Sequence, residues 1–218
     1  MPRSFLIIGL LVLSAFLANS QTDAPAAVTF TLDFPTSQPE HYSIRIQSDG
    51  SARYQSSGRL SADSDDTDSF DFAFTVAPET RQRIFDLAAK AGYFQKDVDS
   101  HHKGVAFTGK KTLTYGDAHR SGESTYNYSS NPAVQDLTNL FQSLSATLEF
   151  GHRLQYDRQY QKLALDEELK RMEDMAHSNS LVDVAAIQAI LDQIIADPSV
   201  INVTRARAQR LLERASAR

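Results

Sequence analysis

Residues 131–176 read NPAVQDLTNLFQSLSATLEFGHRLQYDRQYQKLALDEELKRMEDMA, and here a strand-rich front half gives way to a helical back half. Asn131 can accept from the free N–H groups that open a helix, and Pro132 suits the first helical position, where its missing N–H has no partner to lose. Val134, Leu137, Phe141, Leu144 and Leu148 follow at helical spacing and predict one buried stripe. Phe150 closes that stripe, and Gly151 can take the left-handed conformation of a C-cap. Helix-forming sequence resumes at once and runs to Ala176, so the pattern predicts two helices joined by a kink at Gly151.

The second of these helices changes its apolar side. At about 100° per residue, Tyr156, Tyr160 and Leu163 share one face while Leu154, Leu165, Leu169, Met172 and Ala176 share the opposite one. Such a helix is expected to connect two modules, touching the front domain with one half and the C-terminal helices with the other.

Working back from the helix, residues 28–34 alternate strictly, with Val28, Phe30, Leu32 and Phe34 on one face. Tyr42, Ile44 and Ile46 alternate up to the turn at Asp49-Gly50. A two-residue loop would set Ile46 opposite Arg53. A three-residue loop of Ser48, Asp49 and Gly50 pairs Ile46 with Ala52 and Ile44 with Tyr54, so it is the expected turn, with Gly50 at positive φ. Phe70, Phe72, Phe74 and Val76 give the most regular alternation in the chain and predict a central strand. Pro78 and Glu79 open a helix with Ile84, Leu87, Ala88 and Ala91 inward, which Gly92 stops before Tyr93 and Phe94 tuck under the sheet. Strands at 111–115 and 123–128, joined by the loop 116–122, complete a second hairpin.

Working forward, Ser180 and Asp183 have the spacing of a helix cap before the stripe Leu181, Val184, Ile187, Leu191 and Ile194, and Asp197-Pro198 separates this helix from a last one. Ile190 and Ile195 lie outside the main stripe, and Arg205, Arg207, Arg210 and Arg214 surround a thin seam of Val200, Val203 and Leu211. More apolar surface is present than one helical hairpin covers. The C-terminal arm is therefore the expected place for a protein partner or self-association, with the arginines favouring an acidic surface.

Residues 1–20 have the make-up of an export signal: Arg3, an apolar run over 5–16 too short to span a bilayer comfortably, and small residues at Ala18 and Ser20. Cleavage is expected before Gln21, leaving a periplasmic or secreted protein with no stable membrane span. There is no cysteine, so neither a disulfide nor a lipid-bearing cysteine is available. A net charge of −5 argues against general nucleic-acid binding. The organisation expected is a signal at 1–20, an α+β domain at 21–150 in which an antiparallel sheet packs with two helices, and an all-helical arm at 151–218.

The Asp-Gly hairpin, the Pro-initiated helix ending at Gly92-Tyr93-Phe94, the hairpin beginning Lys111-Thr112-Leu113-Thr114-Tyr115 and the Asn-Pro helix start together resemble a family of exported bacterial domains of unknown function. The resemblance covers residues 28–150. It implies a small α+β domain and brings no catalytic residues.

Motifs for chemistry are sparse. Asp63, Asp65, Asp66, Asp68 and Asp71 have the composition of a calcium loop, but the glycine and bidentate glutamate of an EF-hand are missing at their spacing, and a solvated acidic loop is the plainer reading. Asp97, Asp99, His101 and His102 could ligate zinc or copper, with His119 from the second hairpin, although tandem histidines in polar loops are ordinarily solvated. Glu173 and His177 can pair across one helical turn. Tyr115, Tyr126 and Tyr128 could stack on a ligand or pack in a core. Asn127 and Asn202 begin glycosylation-type triplets. No serine elbow, phosphate loop or dinucleotide fingerprint occurs, and no cofactor is expected. The function expected is an exported, non-enzymatic binding or protein-interaction protein of the bacterial cell envelope. The alternative is an envelope hydrolase or metal-binding protein whose site is assembled in space.

Overall fold

Alternating sequence becomes a single antiparallel sheet. The computed structural model describes residues 24–59 and 66–216. Its strands are β1 (Ala27–Asp33), β2 (His41–Gln47), β3 (Ser51–Arg59), β4 (Thr67–Thr75), β5 (Lys110–Gly116) and β6 (Ser121–Tyr126), in the order β4-β3-β2-β1-β5-β6. Pairing aligns the inward residues in rows across the strands, because a side chain and its register partner share a face. One row is Phe74, Ala52, Ile46, Val28 and Tyr115; the next is Phe72, Tyr54, Ile44, Phe30 and Leu113. The third, Phe70, Ser56, Tyr42, Leu32 and Lys111, brings polar groups to one end of the sheet. Ile46 faces Ala52 and Gly50 has φ +95°, as the parity of the hairpin requires.

The third row contains a buried lysine. Lys111 is 4% exposed, and its ammonium donates to the Thr108 carbonyl at 3.1 Å, the Thr108 hydroxyl at 2.9 Å, the Gly109 carbonyl at 3.3 Å and the Asn127 carbonyl at 3.0 Å. Burial lowers its pKa, and the oxygen cage compensates the charge left inside.

β4 is an edge strand, not the central one its pattern suggested. Strict alternation reports that one face of a strand is covered, and an edge strand beneath helices meets that condition as well as a central strand does. Phe70, Phe72 and Phe74 are half-buried and stack along the edge at 5.6 and 6.0 Å. The second hairpin also differs: its loop is shorter, with Gly116 and Gly122 inside the strands. A Cβ on Gly122 would lie 2.1 Å from the Tyr93 carbonyl oxygen, so the glycine admits the turn that follows the first helix.

That helix, α1 (Pro78–Lys90), buries Ile84, Leu87 and Ala88. Gly92, Tyr93 and Phe94 then all take positive φ, which throws the chain back and buries Phe94. α2 (Pro132–Tyr160) is capped by Asn131, whose Oδ1 accepts from the Ala133 N–H at 2.9 Å, and it lies on the sheet with Phe141 stacked on Phe30 at 5.2 Å.

Gly151 is not a C-cap, because α2 passes through it and breaks only at residues 161–163. The 150/151 position therefore falls in mid-helix. A Cβ at Gly151 would come within 2.6 Å of Ile187 Cγ2, so close helix approach is what the glycine provides there. After the break come α3 (Ala164–His177), α4 (Gln188–Ala196) and α5 (Asn202–Ser216). The expected cap by Ser180 and Asp183 does not form. Asp183 stands at φ +57° before a 3₁₀ turn over Val184–Ile187, and its carboxylate accepts the Ala77 N–H at 2.8 Å, in front of α1.

The fold is α+β: an antiparallel sheet covered on one face by α1 and α2, followed by a helical C-terminal region. One apolar core runs from Phe30 and Ile44 through Leu144 and Leu154 to Leu169, Leu191 and Leu211. No helix among the described residues is long and apolar enough to cross a membrane.

Candidate functional site

Where the third row meets α2, the sheet becomes polar, and a cleft of about 610 Å³ opens between the end of β3, the start of β4 and the α2–α3 corner. Glu149, His152, Arg153, Tyr156 and Asp157 recur at three- and four-residue spacing on α2, so one helical face supplies a whole wall. Ser56, Arg59 and Asp68 come from the strands; Glu168 and Arg171 come from α3. A second cavity of about 290 Å³ continues past Glu149 and Arg153 toward Tyr42 and Phe150.

Glu149 is the organising group. Its Oε1 accepts from the Tyr54 hydroxyl at 2.6 Å and the Ser56 hydroxyl at 2.7 Å. Burial pushes its carboxyl up, but the nearby His152 ring and the Tyr54 and Ser56 hydrogen bonds outweigh that and hold it below the ordinary carboxylate range. Burial, and then the Glu149 charge, drive the Tyr54 phenol far up, so it stays protonated and donates.

His152 lies flat on Phe70 at 4.1 Å. Its Nε2 is 3.6 Å from Asp68 Oδ2 and its Nδ1 is 3.9 Å from Glu149 Oε2, which links β4 to α2.

The remaining charges of the cleft are largely matched. Glu168 is 2% exposed and is clamped by Arg153 at 2.5 Å and by Arg171. Arg59 is held by Glu40 at 2.8 Å. Asp157 differs: burial, and then the Glu168 charge, raise its carboxyl against the opposing pull of Arg153 and Arg171, and no described side chain forms a hydrogen bond or ion pair with it. At the mouth Tyr156 and Tyr160 are 52% and 65% exposed with ring centres 5.0 Å apart, and Leu163 beyond them is 92% exposed. This apolar face was expected to pack on the front domain. It faces solvent instead, because α2 has left the sheet by this point and only Leu154, on the other side, still meets the core.

Of the acidic-loop candidates, Asp63 and Asp65 lie outside the described residues, Asp66 is exposed, Asp71 holds Arg53, and Asp68 joins the cleft. The Asp97–His102 loop does not converge. His101 pairs with Asp97 at 2.7 Å and is raised by that hydrogen bond, Asp99 accepts the His101 and Asn127 backbone N–H groups, and His102 is exposed. His119 sits in the β5–β6 turn, and no group of three metal-binding side chains occurs among the described residues. His177 bonds the Glu173 carbonyl, while the Glu173 carboxylate holds Arg207 at 2.6 Å and Arg210 at 2.8 Å. Arg205 bonds Asn202. Ile190 and Ile195 are half-buried against the core, with Ile190 lining a crevice of about 200 Å³ beside Phe70 and Phe72. Tyr115 and Tyr126 are buried, Tyr126 bonding Thr138, whereas Tyr128 is exposed beyond the strand. Asn127 is engaged by Thr108 and Ala106.

Glu149, His152, Arg153, Asp157 and Glu168 were not singled out in the sequence. The spacing of the first four along α2 was visible, but Glu168 on α3, Asp68 and Ser56 meet them only through the fold. Comparison with models of known protein families and with curated proteins finds no match.

Proposed function

We propose that this chain is an exported binding protein of the bacterial cell envelope and that its ligand enters the cleft between β3, β4 and the α2–α3 corner. The observation that carries the reading is the cleft itself. Its volume of about 610 Å³ lies within the range of small-ligand sites, roughly 300–1,000 Å³, and convergent polar groups on its walls adjoin the exposed ring of Tyr156, which Tyr160 flanks. Export rests on the positive, apolar and small-residue pattern of residues 1–20. The Glu149 network supports binding over turnover, since the Ser56 proton is committed to a carboxylate and not to His152.

Thermal-shift screening against metals, muropeptides and acidic polymers is the direct test. A ligand that raises the melting temperature of the wild type should fail to do so for Gln161→Trp, in which an exposed cleft residue is replaced by a bulky ring. Equal stabilisation of both proteins would place the site elsewhere. A hydrolase is the second reading, favoured by His152 lying between Asp68 and Glu149 in a cleft that Ser56 also lines. Turnover of a bound ligand that disappears in His152→Ala would establish it.

A further inference from the structure

We infer that the cleft takes a saccharide whose rings lie on Tyr156 and whose amino or acylamino group reaches Asp157. The inference rests on the cleft being the binding site and adds the chemistry of the ligand.

The charge arrangement excludes the simplest alternatives. Four carboxylates, Asp68, Glu149, Asp157 and Glu168, face three guanidiniums in the lining. Those guanidiniums are occupied: Arg153 and Arg171 by Glu168, Arg59 by Glu40. A phosphate or carboxylate ligand would have to displace a buried glutamate from its only counter-charges, leaving Glu168 desolvated and unpaired. An apolar ligand would cover Gln38, Gln161 and His152 without satisfying them, at a cost for every stranded polar group. What suits such a lining is a neutral or weakly cationic molecule rich in directional hydrogen-bonding groups.

Two features narrow the class. Asp157 is an acceptor in the cleft with no hydrogen-bonded or ion-paired side chain among the described residues, Arg153 and Arg171 acting on it only at longer range while held by Glu168, so it favours a ligand N–H or ammonium. Tyr156 presents a ring at the mouth on the next residue, supported by Tyr160. A pyranose has an apolar C–H face that lies on such a ring and hydroxyls around its edge for the fixed planes of the Gln, Arg and His side chains. A nitrogen substituent on that edge completes the set.

The test is titration of the whole protein with short oligomers of glucosamine, N-acetylglucosamine and glucose, and with a lysine-rich peptide, combined with amide chemical-shift mapping. The nitrogen-bearing oligomers should bind roughly tenfold or more tightly than those of glucose, the difference one charge-assisted hydrogen bond makes. Asp157→Asn should reduce the glucosamine oligomers to the level of glucose. Tyr156→Ala should weaken every saccharide roughly tenfold, and Tyr156→Trp should restore it. Unchanged melting temperatures would show that these variants remain folded. Equal binding of glucose oligomers, indifference to either substitution, or no saccharide binding would overturn the inference. Peptide-induced shifts at the cleft without saccharide binding would overturn it while leaving the cleft as the site. Shifts confined to another surface would overturn both readings.

Discussion

A methyl group added at Gly151 would meet Ile187 Cγ2 at 2.6 Å and Ile187 Cβ at 3.2 Å, in the middle of a continuous helix. Alanine is ordinarily better than glycine in a helix interior by about 0.5–1 kcal/mol, whereas an added methyl in a packed interface costs about 1–3 kcal/mol. The second effect should win, because β-branched Ile187 cannot turn away easily. Gly151→Ala is expected to destabilise by about 1–2 kcal/mol in urea unfolding. In an Ile187→Ala background the same change should cost much less, since the Cγ2 clash is gone and only the Cβ contact at 3.2 Å still opposes the helix-propensity gain. Additive effects would mean that the two residues do not touch. The sequence displayed this glycine without displaying its neighbour, so a C-cap was the reasonable local expectation. Glu149 and His152 were unreadable for the same reason: each takes its role from strands some eighty or more positions earlier in the chain.

At the level of elements, the chain reveals what is local. The turn before β3 followed from parity between two strands, and the start of α2 followed from Asn131 and Pro132, because those interactions close within a few residues. β4 was misplaced because alternation carries no information about how many neighbours a strand has. The acceptor for the Ala77 N–H, just before α1, was missed because it is Asp183, 106 positions away. Loss of the acceptor of that N–H costs about 1–3 kcal/mol, and a non-glycine residue without polar side-chain compensation in the left-handed region costs about 1–2 kcal/mol. Asp183→Ala should suffer both losses and Asp183→Gly only the first, while Asp183→Asn keeps an acceptor and tolerates positive φ. Stability should therefore fall in the order Asn, Gly, Ala, measured by thermal unfolding. Burial raises the Asp183 carboxyl, so the folded state holds this proton more tightly than the unfolded chain does. Such a group favours the fold below the unfolded pKa of about 3.9 and loses that advantage as pH rises through the folded value. Asp183→Asn should accordingly gain on the wild type over that rise; a constant difference would contradict the assignment.

For the whole molecule, the apolar core is continuous from the sheet to α5, and α2 is shared by both ends of it. The ion pairs of Arg207 and Arg210 with α3 close the far end. The opposite flank ends at β5 and β6, where Lys111 is enclosed by carbonyl and hydroxyl oxygens while Lys90, Lys96, Lys103, Lys110, Lys162 and Lys170 are exposed. An amine-reactive acylating reagent should therefore mark those six at once and Lys111 only when the flank opens. Mass-spectrometric timing of that one adduct across a urea series would act as a clock. If its rate follows global unfolding, the molecule opens as a unit. If it runs ahead of it, the hairpin peels away first, and this single ammonium records the weakest seam of the fold.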